Sequence, residues 1–188
     1  MGKIIFFTGG VRSGKSQFAE EYIKEKKYEK KIYFATAIPF DDEMKDRIEK
    51  HRKRRDESWI TVEGYRNLVK KLDSEFLENF DAILFDCVTN FVSNSMIMER
   101  EVDWDNISQK NVNIIENEII DEIKKLINWI RKHKIDCVFV TNEIGMGLVP
   151  SYSLGRHFRD ICGNVNQIVA KESDEAYLAV SGIKVKIK

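Results

Sequence analysis

Residues Lys3–Ser16 read KIIFFTGGVRSGKS, and this stretch decides the fold. A β-rich apolar run, KIIFFT (Lys3–Thr8), passes into GGVRSGKS, which fits G-x-x-x-x-G-K-[ST] with Gly9, Gly14, Lys15 and Ser16 at the defined places. Glycines let the chain turn so that successive N–H groups of Gly9, Gly10, Val11, Arg12, Ser13 and Gly14 face one anion. A helix from Ser16 to about Lys27 adds its positive end. In such a loop Lys15 reaches the β- and γ-phosphates and the Ser16 hydroxyl sits on Mg²⁺. A glycine turn needed only for packing leaves Lys15 and Ser16 unexplained.

Outward from the loop, short apolar runs alternate with helical patterns, which predicts a mostly parallel sheet covered by helices. KIYFAT (Lys31–Thr36), WITVE (Trp59–Glu63), DAILFD (Asp81–Asp86) and DCVFVT (Asp136–Thr141) read as strands. Asp41 or Asp42 suits the cap of a helix running to about Arg55, and Arg66 to about Phe76 is helical. Apolar residues at 112, 115, 119, 123, 126 and 130 form one stripe of a long helix over Asn111–Lys132. Another helix is expected over Ser153–Glu172, with a break near Gly163. EAYLAV and KVKI read as two strands joined at Ser181-Gly182, giving a C-terminal antiparallel strand. Glu99–Asp105 (EREVDWD) is acidic and aperiodic and reads as a mobile surface loop.

The chain has 188 residues, 43% hydrophobic and 33% charged, with 31 Lys+Arg against 31 Asp+Glu. This suits one folded domain spanning 1–188. The even balance argues against a dedicated nucleic-acid binder. Cys87, Cys137 and Cys162 form no CxxC pair and read as reduced, buried thiols. No apolar run reaches membrane-spanning length and the amino terminus enters a strand at once, so a cytoplasmic location is expected.

A phosphate loop works with a second carboxylate at a neighbouring strand end. Asp86 closes AILFD and is the candidate, its other reading being a strand-end cap. Asp136 begins its strand and belongs to the opposite edge. His133 reads as solvated at a helix end, and His157 as a substrate contact or a spacer. His51 lies in KHRKRR (Lys50–Arg55), and Lys45–Arg55 holds seven Lys and Arg against two acidic residues. That run reads as a solvated helix face, a nucleic-acid footprint, or a set of cations holding a polyphosphate beside a neutral His51.

Four further stretches carry a resemblance: DDEMKDRIEKHRKRR, TNEIGMGLVP, GRHFRDICGNVNQ and the ending VSGIKVKIK. With GGVRSGKS they resemble, from first strand to last residue, the bifunctional adenosylcobinamide kinase/adenosylcobinamide-phosphate guanylyltransferases of cobalamin biosynthesis. The resemblance implies a RecA-like P-loop fold. It implies phosphorylation of adenosylcobinamide with ATP or GTP, then transfer of GMP from GTP onto that phosphate with release of pyrophosphate. The transfer would pass through a guanylyl-histidine, which by motif position is His51. Nucleotide contacts would fall on Gly9–Ser16, on Ala35, Thr36 and Ala37, on Arg52, Lys53, Arg54 and Arg55, on Glu63 and on Asp86. Ser16 and Asp86 would hold Mg²⁺, and the chain would be a homotrimer. Asp86 stands where relatives carry glutamate, and Val11 where alanine is usual. Asn142–Ser153 and His157–Asp160 are the candidate corrinoid contacts.

Overall fold

The computed structural model describes residues 1–38, 56–73, 80–98 and 100–188. Seven strands form one sheet in the order β3-β2-β4-β5-β1-β6-β7. They are β1 (Ile4–Gly9), β2 (Lys31–Ala35), β3 (Trp59–Glu63), β4 (Ala82–Asp86), β5 (Asp136–Asn142), β6 (Glu175–Val180) and β7 (Ile183–Lys186). Every pairing is parallel except β6 with β7, which is antiparallel. The central strands are apolar on both faces because both faces are covered. Ile4 and Phe6 of β1 face one core, whereas Ile5 and Phe7 face the other.

Helix α1 (Lys15–Glu25) covers one face, packing Ala19, Tyr22 and Ile23 over Phe7, Leu84 and Val138. The other face carries α2 (Leu68–Leu72), α3 (Val88–Ile97), α4 (Gln109–His133) and α5 (Ser153–Glu172). There Phe34, Phe85, Phe91 and Phe139 form a contiguous aromatic core, with ring centroids 5.2–6.1 Å apart. In α4 the expected stripe is the buried one: Val112, Ile115, Ile119, Ile123, Leu126 and Ile130 all face inward. Ser108 caps that helix by accepting from the Asn111 N–H.

Several expectations are corrected. The sequence reading contains no helix between Asp86 and Asn111, yet α3 spans ten residues there. Its Val, Thr, Ser and Asn content disfavours an isolated helix. Burial of Val88, Phe91, Val92 and Met96 overrides that preference. Helix α5 runs through Gly163 without a break, held by the burial of Ile161, Cys162 and Val165 on either side of it. The acidic stretch around Asp103 is tethered, because Val102 and Trp104 pack against the core and Arg100 pairs with Glu118 at 2.6 Å. The helix expected from Asp41 or Asp42 to Arg55 lies outside the described residues, as does Phe76. Among the described residues no helix is long and apolar enough to cross a membrane. All three cysteines are buried and unpaired.

Candidate active site

The parallel strands end at one edge of the sheet, and the predicted site residues that are described gather there. Gly9 pairs with Asn142, Ala35 with Asp86, and Ala35 with Glu63. Loops beyond these carboxyl ends are where α/β sheets bind ligands.

β1 ends on Gly9, and only glycine fits there, since a side chain would lie 2.3 Å from the Ala179 carbonyl oxygen. The chain then turns through Arg12 (φ 57) and Gly14 (φ 95), with the Ser13 N–H on the Gly10 carbonyl at 3.3 Å. Gly14 caps α1 without a side-chain hydrogen bond, so the helix presents its positive end to the loop's concavity. Lys15 is buried and its Nζ donates to the Gly10 carbonyl at 3.1 Å, within the ring it would share with a phosphate. Val11 is 74% exposed, so its extra bulk over alanine meets nothing. The Ser13 Oγ is buried with no hydrogen-bond partner, and so is the Thr8 Oγ1.

Asp86 ends β4 with its Oδ2 accepting from the Tyr33 hydroxyl at 2.8 Å. It is not on the strand beside β1, because β5 intervenes. The two backbones are therefore two strand spacings, roughly 10 Å, apart. Burial, and then the Asp86 charge, push the Cys87 thiol up to about 12, while the Lys15 charge acts in the opposite direction. A hydroxyl and one carboxylate suit Mg²⁺ that arrives with phosphates and keeps part of its water. They do not make a protein cage: among the described residues no group of three His, Cys, Asp or Glu side chains is placed to hold a metal.

Thr36 has a different role from the one expected of a nucleotide contact. Its side chain is fully buried, donating to the Cys87 carbonyl at 2.7 Å and accepting from the Cys87 N–H at 2.8 Å. Asn94 of α3 holds the Thr36 carbonyl at 2.7 Å. The clamp ties the end of β2 to the turn after Asp86. Ala35 is buried as well, and of this trio Ala37 is the accessible one. Glu63 is exposed four strand spacings from β1, roughly 19 Å away. It is out of reach of phosphates in the loop and suits only the far end of an extended nucleotide. His51, Arg52, Lys53, Arg54 and Arg55 lie outside the described residues.

Other expectations are placed plainly. Asp136 sits at the opposite edge, accepting from the Lys3 N–H and the Tyr28 hydroxyl. His133 is exposed, stacked on Trp129 with its Nδ1 2.8 Å from the Trp129 carbonyl. His157 is partly buried, its ring centroid 5.9 Å from that of Trp104.

Sequence reasoning missed two supports. The β6–β7 hairpin backs the phosphate loop, with the Gly182 N–H on the Ser13 carbonyl at 3.0 Å. Thr89, Thr141 and Asn166 form a buried chain at 3.1 and 2.9 Å, and Thr89 also accepts from the Asn142 N–H. This chain joins α3 and α5 to the end of β5. The turn at Ser181-Gly182 was legible, but no local pattern says where a hairpin docks.

The KaiC-like protein PH0186 from Pyrococcus horikoshii OT3 shares the fold, with TM-score 0.51 and 14% identity, over 94% of this chain and 72% of that one. The flagellar accessory protein FlaH from Methanocaldococcus jannaschii matches 100% of this chain and 78% of its own, with TM-score 0.50 and 15% identity. Sequence relatives are nearer. The bifunctional adenosylcobalamin biosynthesis protein CobU of Escherichia coli (strain K12) is 42% identical, over 98% of this chain and 99% of that protein. The bifunctional adenosylcobalamin biosynthesis protein CobP of Pseudomonas aeruginosa is 31% identical, over 96% of this chain and 94% of its own. The CobU family model matches residues 5–187. The chain belongs to the CobU family, cobinamide kinase / cobinamide phosphate guanyltransferase.

Proposed function

We propose that the chain acts in cobalamin biosynthesis by two successive transfers at the carboxyl edge of the sheet. First, the hydroxyl of the aminopropanol arm of adenosylcobinamide attacks the γ-phosphorus of ATP or GTP, and the nucleoside diphosphate leaves. Second, a ring nitrogen of His51 attacks the α-phosphorus of GTP and pyrophosphate leaves. The new phosphate oxygen of adenosylcobinamide phosphate then attacks the same phosphorus, the N–P bond breaks, and adenosylcobinamide-GDP forms. A histidine serves because its phosphoramidate both forms and leaves readily. The observation that carries the reading is the phosphate loop with buried Lys15 directed into it at the edge where Asp86 also ends.

Gly9–Ser16 hold the phosphates, and Lys15 offsets charge on them as the bond breaks. Ser16 and Asp86 would hold Mg²⁺, which supplies charge neutralisation across the phosphates. Tyr33 orients the Asp86 carboxylate for that purpose. Ala37 and Glu63 line the path toward the nucleoside, and Arg52–Arg55 neutralise the α-phosphate beside His51. The family resemblance supports a cytoplasmic homotrimer.

The test is incubation with Mg²⁺ and GTP labelled at the α-phosphate, followed by denaturation. Label should remain on the protein, be lost in acid, survive base and vanish in His51→Ala. Absence of label while GTP still binds would reduce the reading to a simple P-loop kinase.

A further inference from the structure

Strand β5 ends between the phosphate loop and the Asp86 carboxylate, and the residue at its tip is Asn142. In the register of the sheet Asn142 lies level with Gly9, which opens the loop. On its other side β5 pairs with β4, where Asp86 is level with Val140. Side chains alternate along a strand. Thr141 bonds Thr89 and Asn166 on the α3 and α5 face, whereas Val138 and Val140 lie in the core under α1. Asn142 therefore shares the α1 face with Val140. Leu84 lies in that same core, so Asp86, two residues on, is on that face too. Helix α1, which begins at Lys15, covers it.

The backbone under the Asn142 side chain is held firmly. Its N–H donates to the Thr89 hydroxyl oxygen at 2.7 Å, and the next N–H, of Glu143, donates to the Gly9 carbonyl at 3.0 Å. Thr89, Thr141 and Asn166 are all buried, and together they fix one strand end. Burying polar groups is costly, and a bonded network of this kind rigidifies what it touches. The Asn142 carboxamide itself is partly buried and has no hydrogen-bond partner among the described residues. Glu143 is turned elsewhere, with its Oε1 accepting from the Gly145 N–H at 2.7 Å.

We infer that Asn142 is a catalytic residue of the first transfer, its Nδ2 donating to an oxygen of the γ-phosphoryl group as that group leaves the nucleotide. This rests on the proposed function, and it differs from the corrinoid contact that the resemblance offers for Asn142. Lys15 serves the β- and γ-phosphates from the loop. Asp86 lies two strands away, so a γ-phosphoryl group between them stands over the end of β5. In the transfer the acceptor oxygen bonds the γ-phosphorus, the bridging oxygen leaves on the nucleoside diphosphate, and the hydroxyl proton goes to water. The carboxamide keeps its protons. Charge is spread over the γ-oxygens at that moment. A neutral donor already fixed there stabilises it without reorganising. In guanylyl transfer the reacting phosphorus is the α one, and Asn142 faces only the leaving pyrophosphate.

The test compares the full-length parent with Asn142→Ala and Asn142→Gln in the presence of Mg²⁺. Calorimetric titration gives Kd for ADP and for the β,γ-imido analogue of ATP. Transfer of label from γ-labelled ATP to adenosylcobinamide gives kcat. Because the carboxamide bonds nothing in the protein, Asn142→Ala should keep the parental Tm. Its Kd for the imido analogue should rise roughly tenfold, as for a lost bond to a charged group, with Kd for ADP within about twofold of the parent. Its kcat should fall roughly 100-fold or more, the loss typical of one transition-state donor, and self-labelling from α-labelled GTP should fall far less. Asn142→Gln keeps the carboxamide on a longer arm and should recover part of kcat. Equal losses for the imido analogue and ADP overturn the inference, since a distorted loop would act on both. An unchanged kcat overturns it, and so does a glutamine variant no better than alanine. If the parent moved no phosphate to adenosylcobinamide, the first step of the proposed function would fail, while the imido analogue against ADP would still decide whether Asn142 meets the γ-phosphate.

Discussion

Replacing Thr36 by valine keeps the shape of a fully buried side chain and removes one oxygen. That oxygen makes two hydrogen bonds, at 2.7 and 2.8 Å, to the carbonyl and N–H of Cys87. Valine leaves both backbone groups without this partner in a site closed to water. An unsatisfied buried group costs about 1–3 kcal/mol, so the pair should cost about 2–6 kcal/mol. Against a total stability of about 5–15 kcal/mol, that is a large fraction. At this chain length a loss of 3 kcal/mol corresponds to a fall of roughly 6–12 °C in Tm. Urea unfolding followed by circular dichroism would measure it, with the m-value unchanged if only the native state is affected. Thr36→Ser keeps the hydroxyl and should lose about 1 kcal/mol for the missing methyl. Because the hydroxyl faces Cys87 and not the nucleotide, Thr36→Ser should leave the KM for ATP and GTP unchanged. A Thr36→Val protein within about 0.5 kcal/mol of the parent would refute the clamp. A Thr36→Ser protein with a raised nucleotide KM would refute the assignment of the side chain to structure.

Gly9→Ala should destabilise strongly because its Cβ would meet the Ala179 carbonyl oxygen at 2.3 Å, whereas Gly10→Ala meets nothing within 4 Å and should keep the parental Tm. Asp174 is opposed by burial, but its bonds from Arg131 and the Ile4 N–H prevail and hold its carboxyl below the ordinary range. Its stabilisation is therefore complete above the ordinary carboxylate value, about pH 4, and is lost as pH falls through the folded value. Asp174→Asn should lower Tm at pH 7 and converge on the parent near pH 2, so a constant difference across that range would contradict the pairing. Burial pushes the Cys87 and Cys162 thiols up to about 12 and raises Cys137 as well, so a disulfide reagent at pH 8 should label the cysteines only after denaturant is added.

The sequence by itself was enough for the parallel sheet, because strands buried on both faces must be continuously apolar and few other segments are. It was enough for the phosphate loop, whose function depends on backbone turning within eight consecutive residues. Asp86 was legible as a strand-end carboxylate, and Asp136 as one at the wrong end, because strand direction follows from parallel connection alone. Helix α3 was not legible, since its stability comes from Phe91 and its neighbours entering a core assembled from distant strands. The role of Thr36 depends on Cys87, which is 51 residues away, and the docking of Gly182 on Ser13 spans almost the whole chain. The intervening β5 between Gly9 and Asp86, and the place of Asn142 at its tip, are likewise facts of strand order. Local chemistry is written in neighbouring residues. Which strand ends meet, and which polar groups pair across them, is decided only when the sheet closes its non-local contacts.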